Sequence, residues 1–309
     1  MVTGEGSRTT AVNGWVRRAA LMATLLTAAL AAPVDAQAGK AAFDAGMRLM
    51  RENKPAQAET QFERAIAQDG RNGLYHLWLG NAIGSQVSDA STVRQPFMAR
   101  RIKAEFERAV ELDPALLDAR DGLVGFYLQA PGFMGGSPAK AREQQREIAS
   151  RSPYRGHLAA ANIAAFQKDT AGVERALRAA IAAAPDSVRA VIALAQRQQQ
   201  WGRIPAAFAT LEDALKAQPA DIALRFQLGR LAASTGQQLP RGEQVLRALA
   251  AASDWTPENS RPSRAAVHYR LGMILEKQSK RPDAKAQYER ALVLDPQLKV
   301  AKDALAALR

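Results

Sequence analysis

The sequence predicts an all-α solenoid built from stacked helix pairs, and three observations predict it. Small and apolar residues recur with a period of about 34 residues, a spacing at which each unit buries its face only against the next. Ala and Leu dominate, strand formers are sparse, and no alternating apolar pattern of useful length is present. Proline and short polar turns return wherever such a helix must stop, as Pro296 does near the end of the clearest copy, 265–298.

In that copy Leu271, Gly272 and Leu275, with His268 before them, sit at i, i+3, i+4 and i+7 and form one apolar stripe on a first helix. The turn Lys280-Arg281-Pro282-Asp283 leads into a second helix in which Ala284 and Ala291 flank Tyr288. The small residues allow close approach, and the ring fills the space between the helices. Helices this short are marginal alone, so each pair must pack on its neighbour.

The chain opens with Arg17-Arg18, an apolar run over 19–32, and the small residues of Val34-Asp35-Ala36. This predicts a secretory signal peptide over 1–36, cut after Ala36, with a periplasmic destination for the rest. The run falls short of the about 20 apolar residues that a spanning helix needs. From 37 to 309 the solenoid is predicted as repeats near 39–72, 73–116, 117–153, 154–187, 188–221, 222–260 and 265–298, closed by a capping helix over 299–309. Gly46, Ala58, Phe62 and Ala65 mark the first, and Leu79-Gly80, Phe106, Ala109 and Pro114 the second. The second carries an insertion near Ser85–Pro96, followed by a longer helix with Arg100, Arg101 and Lys103, a basic ridge or a solvated face. The third carries an insertion at Pro131-Gly132-Phe133-Met134-Gly135-Gly136-Ser137. Leu177, Ala180 and Pro185 mark the fourth, Leu194-Ala195, Ala207, Leu211, Ala214 and Pro219 the fifth, and Leu228-Gly229 the sixth.

Leu271-Gly272, Ala284, Tyr288, Ala291 and Pro296 fall where a tetratricopeptide repeat puts its Leu-Gly, Ala, aromatic, Ala and Pro, and the chain resembles a tetratricopeptide repeat protein of an exported bacterial type. The resemblance implies seven helix pairs wound as a right-handed superhelix, with a concave groove that binds a partner segment. The loop 131–137 resembles one in some exported bacterial tetratricopeptide proteins, including helical subunits that accompany periplasmic transport systems. Carried onto this chain, the groove face gives Phe43, Met47, Arg51, Leu77, Asn81, Asp121, Asn162, Gln196, Gln199, Phe226, Arg230, Tyr269 and Met273, with Gln200 just beyond. Asn and Gln there can bond an extended backbone, and Phe, Tyr and Met offer apolar pockets. The family's terminal-carboxylate clamps place Lys at the fifth position of a repeat; Phe43, Leu77, Asp121, Leu158, Ile192, Phe226 and Tyr269 stand there instead, which argues against such a clamp.

Little in the sequence points to catalysis. With no cysteine there is no disulfide, thiolate nucleophile or thiolate metal site. His76, His157 and His268, the three histidines, each take the fourth place of a first helix, where the family packs a large residue, and they belong to separate repeats. No serine lies in a Gly-x-Ser-x-Gly elbow and no phosphate-binding Gly-x-x-x-x-Gly-Lys loop is present. Asp118 and Asp121 share a helix face, either as a carboxylate pair or as negative charge favoured at a helix start. Gly135 and Gly136 offer amides for an anion, or they form a turn that Ser137 caps. The net charge of +12 favours an acidic protein or peptide partner. No basic block interleaved with aromatics suggests nucleic acid. The expectation is a non-catalytic scaffold without cofactor or metal, with no membrane span once the signal is removed. The alternative is a helical accessory subunit of a periplasmic solute transport system, which a deep pocket beside the 131–137 loop would favour.

Overall fold

A computed structural model describes residues 34–252 and 262–308. Its helices begin with the pairs α1 (Val34–Arg51) with α2 (Pro55–Gln68) and α3 (Gly73–Gly84) with α4 (Gln95–Leu112), followed in the chain by α5 (Leu117–Gln129) and α6 (Pro138–Arg151). Then come α7 (Pro153–Phe166) with α8 (Thr170–Ala183), α9 (Val188–Gln200) with α10 (Ile204–Ala217), α11 (Ile222–Thr235) with α12 (Leu239–Ala251), and α13 (Arg264–Lys277) with α14 (Arg281–Leu294). A last helix, α15 (Lys299–Ala307), follows α14. The described residues are thus all-α, as the periodicity predicts. No helix among them is long and apolar enough to cross a membrane. The signal-peptide expectation falls largely on residues 1–33, outside the described residues; α1 takes in Val34–Ala36.

Local chemistry accounts for the helix boundaries. Proline occupies the first turn of α2, α4, α7, α10, α12 and α14, where its missing N–H removes no helical bond. Asn72, Ser152, Asp169, Asp221 and Ser263 each accept a hydrogen bond from a backbone amide of the helix that they begin. Between paired helices the chain reverses through left-handed residues, one each at Asn53, Lys168, Gly202 and Ser279 and two, Gly236 and Gln238, before Leu239.

The chain divides into two compact units, Met1–Ala141 and Arg142–Arg309. In each, the repeat's Gly exists to seat a ring. A Cβ on Gly46 would lie 2.5 Å from the Phe62 ring, and one on Gly272 would lie 2.5 Å from the Tyr288 ring. Phe62 and Tyr288 are accordingly fully buried, beside Ala58 and Ala65 in one case and Ala284 and Ala291 in the other. Tyr288 keeps its hydroxyl satisfied by donating to Glu276 at 2.7 Å. In the second unit one core runs from Val191 through Leu228 and Leu246 to Tyr288, with Leu305 and Leu308 of the closing segment packed against it.

Candidate functional site

In the first unit, both insertions that interrupt the repeat pattern contribute to the lining of a cleft of about 430 Å³. One wall is the stripe Gln95, Ala99, Ile102 and Phe106, spaced i, i+4, i+7 and i+11 along α4. The facing wall is Gly122, Gly125, Phe126 and Gln129 of α5. Gly84 and Val87 close one end, and Ala130, Pro131 and Met134 the other. The first insertion forms a short 3-10 turn at Val87–Asp89 and the second another at Gly132–Met134.

Two glycines in the interior of α5 shape the cavity. A Cβ on Gly122 would lie 2.9 Å from the Phe106 ring, so this glycine lets the ring form the floor. A Cβ on Gly125 would meet only Gln129 Nε2, at 3.8 Å, so this glycine leaves space. The walls are otherwise apolar. Gln95 spends its amide N–H groups on the carbonyls of Val87 and Ala90, at 3.4 and 3.2 Å, which fixes the first insertion and leaves its oxygen unused. Such a site accepts an apolar group and offers Gln95 and Gln129 for one or two hydrogen bonds.

The loop beside the cleft is held rigidly by its own backbone. Met134 and Gly136 donate to the Pro131 carbonyl at 2.9 and 3.1 Å, Gly135 to Gly132 at 3.0 Å, and Ser137 to Tyr127 at 2.8 Å. Gly135 takes a left-handed φ of 100°, and a Cβ on Gly136 would fall 1.7 Å from the Ala130 oxygen. Ser137 Oγ accepts from the Lys140 amide at 3.3 Å. The amides of Gly135 and Gly136 are therefore spent, and the anion cradle suggested by their sequence is not formed. Pro131 lines the cavity; Gly132, Gly135, Gly136 and Ser137 set the loop's shape.

The predicted groove residues divide between the units. In the first, Phe43 is half-buried and stacks on Tyr75, ring centroids 5.1 Å apart, while Met47, Asn81 and Asp121 are half-buried and Arg51 is exposed. Leu77 is buried, with 2% exposure, and presents no side chain to a partner. This corrects its placement on an open face: α3 is apolar on nearly every side, so its fifth place is covered rather than free. In the second unit Asn162 is exposed, and Gln196, Gln199, Phe226, Arg230, Tyr269 and Met273 are half-buried. The structure links Gln199 to Arg230, whose Nη2 donates to the amide oxygen at 3.4 Å.

The remaining candidates fall into structural settings. His76 lies with Nδ1 2.7 Å from Glu105 and Nε2 3.3 Å from the Gly70 carbonyl. The Glu105 hydrogen bond raises the imidazole pKa above its ordinary value, because both ring nitrogens face oxygen acceptors that suit the charged form. His268 Nδ1 meets Gln287 at 2.8 Å. Asp118 is in the first turn of α5, where the helix dipole favours it. Arg101 is paired with Glu59 and Glu63, and Lys103 with Glu107, so only Arg100 of the suggested basic ridge is exposed and without a described ion pair. Among the described residues no group of three or more His, Asp or Glu is placed to hold a metal ion.

Sequence reasoning singled out the 131–137 loop but missed the cleft's walls. The signal that would have found them is Gly122 with Gly125, two interior glycines on one helix face that cost stability unless something approaches or enters there.

Comparison with known proteins covers both ends of the chain. A tetratricopeptide repeat model matches residues 265–298. The yeast Tom70 structure is similar with a TM-score of 0.54 at 10% identity, over 83% of this chain and 51% of that chain, which shows the fold. A tetratricopeptide repeat protein from Parabacteroides merdae gives a TM-score of 0.48 at 14% identity, over 88% of this chain and 99% of its own. A thermophilic tetratricopeptide protein of Thermus thermophilus gives 0.47 at 20% identity, over 63% of this chain and 98% of its own. No curated protein matches the chain. A model described as TRAP transporter T-component matches residues 41–203, which span every wall of the cleft, and since that is more than half of the 309 residues the chain belongs to this family of tetratricopeptide proteins.

Proposed function

We propose that this chain is a non-catalytic, exported accessory subunit of a TRAP transport system, working in the periplasm. It docks on a protein component of that system and holds the apolar part of a solute in the cleft between α4 and α5. The observation that carries this reading is the coincidence of the family match with the cleft, whose walls all lie within residues 41–203. A scaffold with no ligand would gain nothing from keeping Gly125 inside a helix, where glycine is roughly 1 kcal/mol less favourable than Ala and where a Cβ would meet only Gln129 Nε2. Nor would it gain from a loop that braces an open cavity.

The test uses Gly125→Leu, which adds a side chain where the cavity is open and replaces a poor helix former. The parent is expected to bind the uncharged apolar probe N-phenyl-1-naphthylamine, and the variant to bind it about tenfold more weakly while melting at the same or a higher temperature. Equal binding by both proteins, or none by the parent, would remove the cleft from the account.

A further inference from the structure

The second unit concentrates positive charge on one set of helices. Its first helices α9, α11 and α13 carry Arg189 and Arg197, Arg225 and Arg230, and Arg264 and Arg270 respectively, with Lys277 at the end of α13. The same three helices hold one acidic residue, Glu276, which already accepts the Tyr288 hydroxyl. The second helices mix both signs and pair them: Glu212 holds Arg241, and Glu243 holds Arg247 and Lys280.

On the positive set, Arg230 and Arg270 stand out. Arg230 is half-buried, and its Nε donates to Gln227 Oε1 at 2.7 Å and its Nη2 to Gln199 Oε1 at 3.4 Å. Arg270 lies 5.0 Å from the Tyr269 ring centre, with Nη1 3.1 Å from Met273 Sδ. Neither guanidinium meets a carboxylate among the described residues. Burial, and then the neighbouring charge of Arg270, push the Arg230 guanidinium below its usual range. A half-buried guanidinium held only by amide oxygens is an expensive way to fill a surface, and an anion beside it reverses the sign of the interaction.

We propose that Arg230 and Arg270 anchor an acidic segment of a partner protein, each guanidinium taking a carboxylate of that segment. Arginine's planar fork matches a carboxylate in two-point contact. Gln199 and Gln227 hold the Arg230 guanidinium in place through their amide oxygens, and Phe226, Tyr269 and Met273 give half-buried apolar shoulders. A free phosphate would use neither. The site rests on the second unit's geometry and stands whether or not the cleft takes a solute.

The test is fluorescence anisotropy of a labelled, end-blocked hexaglutamate peptide with the full chain, beside Arg230→Gln and Arg270→Gln. Each substitution is expected to weaken binding about tenfold. Arg230→Gln should hold or raise the melting temperature, because it removes a buried, repelled charge, and so separates lost recognition from lost folding. Inorganic phosphate at matched ionic strength should not displace the peptide. The proposal is overturned by failure of the parent to bind, by parent-like affinity in either variant, by displacement with phosphate, or by an arginine-dependent preference for phosphatidylglycerol vesicles over the peptide.

Discussion

Gly136→Ala is expected to destabilise the first unit by roughly 3 kcal/mol or more and to abolish the cleft's shape. The added Cβ would fall 1.7 Å from the Ala130 oxygen and 2.7 Å from its carbonyl carbon. Both are backbone atoms, and Ala130 leads directly into Pro131, whose carbonyl accepts from Met134 and Gly136. No rotamer change relieves such a contact, so the loop must leave its hydrogen-bonded form. Gly132→Ala is the control, since a Cβ there meets nothing within 4 Å. Urea denaturation of both variants beside the parent measures the difference; equal midpoints for the two would show that the loop does not hold the described backbone.

Phe106→Ala comes next in size, with an expected loss of about 3–5 kcal/mol. Its ring is buried, and Gly80 and Gly122 would each place a Cβ within 3 Å of it, so neither helix can collapse onto the vacated volume without moving backbone. The same ring is the floor of the cleft. The variant should therefore unfold at lower urea concentration. A loss below about 1 kcal/mol would mean that the site closes easily and that the glycines are not there to seat the ring.

The fold was legible because the repeat writes its contacts locally. Gly272 and Tyr288 lie half a repeat apart in sequence, and the glycine's missing Cβ is what admits the ring, so the spacing carries the packing rule. His76 lies against Glu105 and His268 against Gln287, each on the first helix of its own repeat. What was not legible lies where the pattern lapses. The cleft is walled by α4, α5 and two insertions, and a period says nothing about what an insertion encloses. The composition of 131–137 drew notice, but whether its amides were free depended on Pro131 and Tyr127 carbonyls that no spacing locates. Leu77 failed for a related reason: in a helix apolar on almost all sides, position in the repeat does not reveal which side is covered. Arg230 was placed on a binding face from its repeat position alone. That neither Arg230 nor Arg270 meets a carboxylate among the described residues needed the coordinates.

The central claim is membership of a TRAP transport assembly, and crosslinked capture from a cell-envelope extract of the source organism, with mass spectrometric identification of what the full chain retains, tests it most directly. The account predicts recovery of a TRAP transporter protein component, reduced when Arg230 and Arg270 are both replaced by Gln if the acidic-segment site is the contact. Recovery of other envelope proteins with no TRAP component would contradict it.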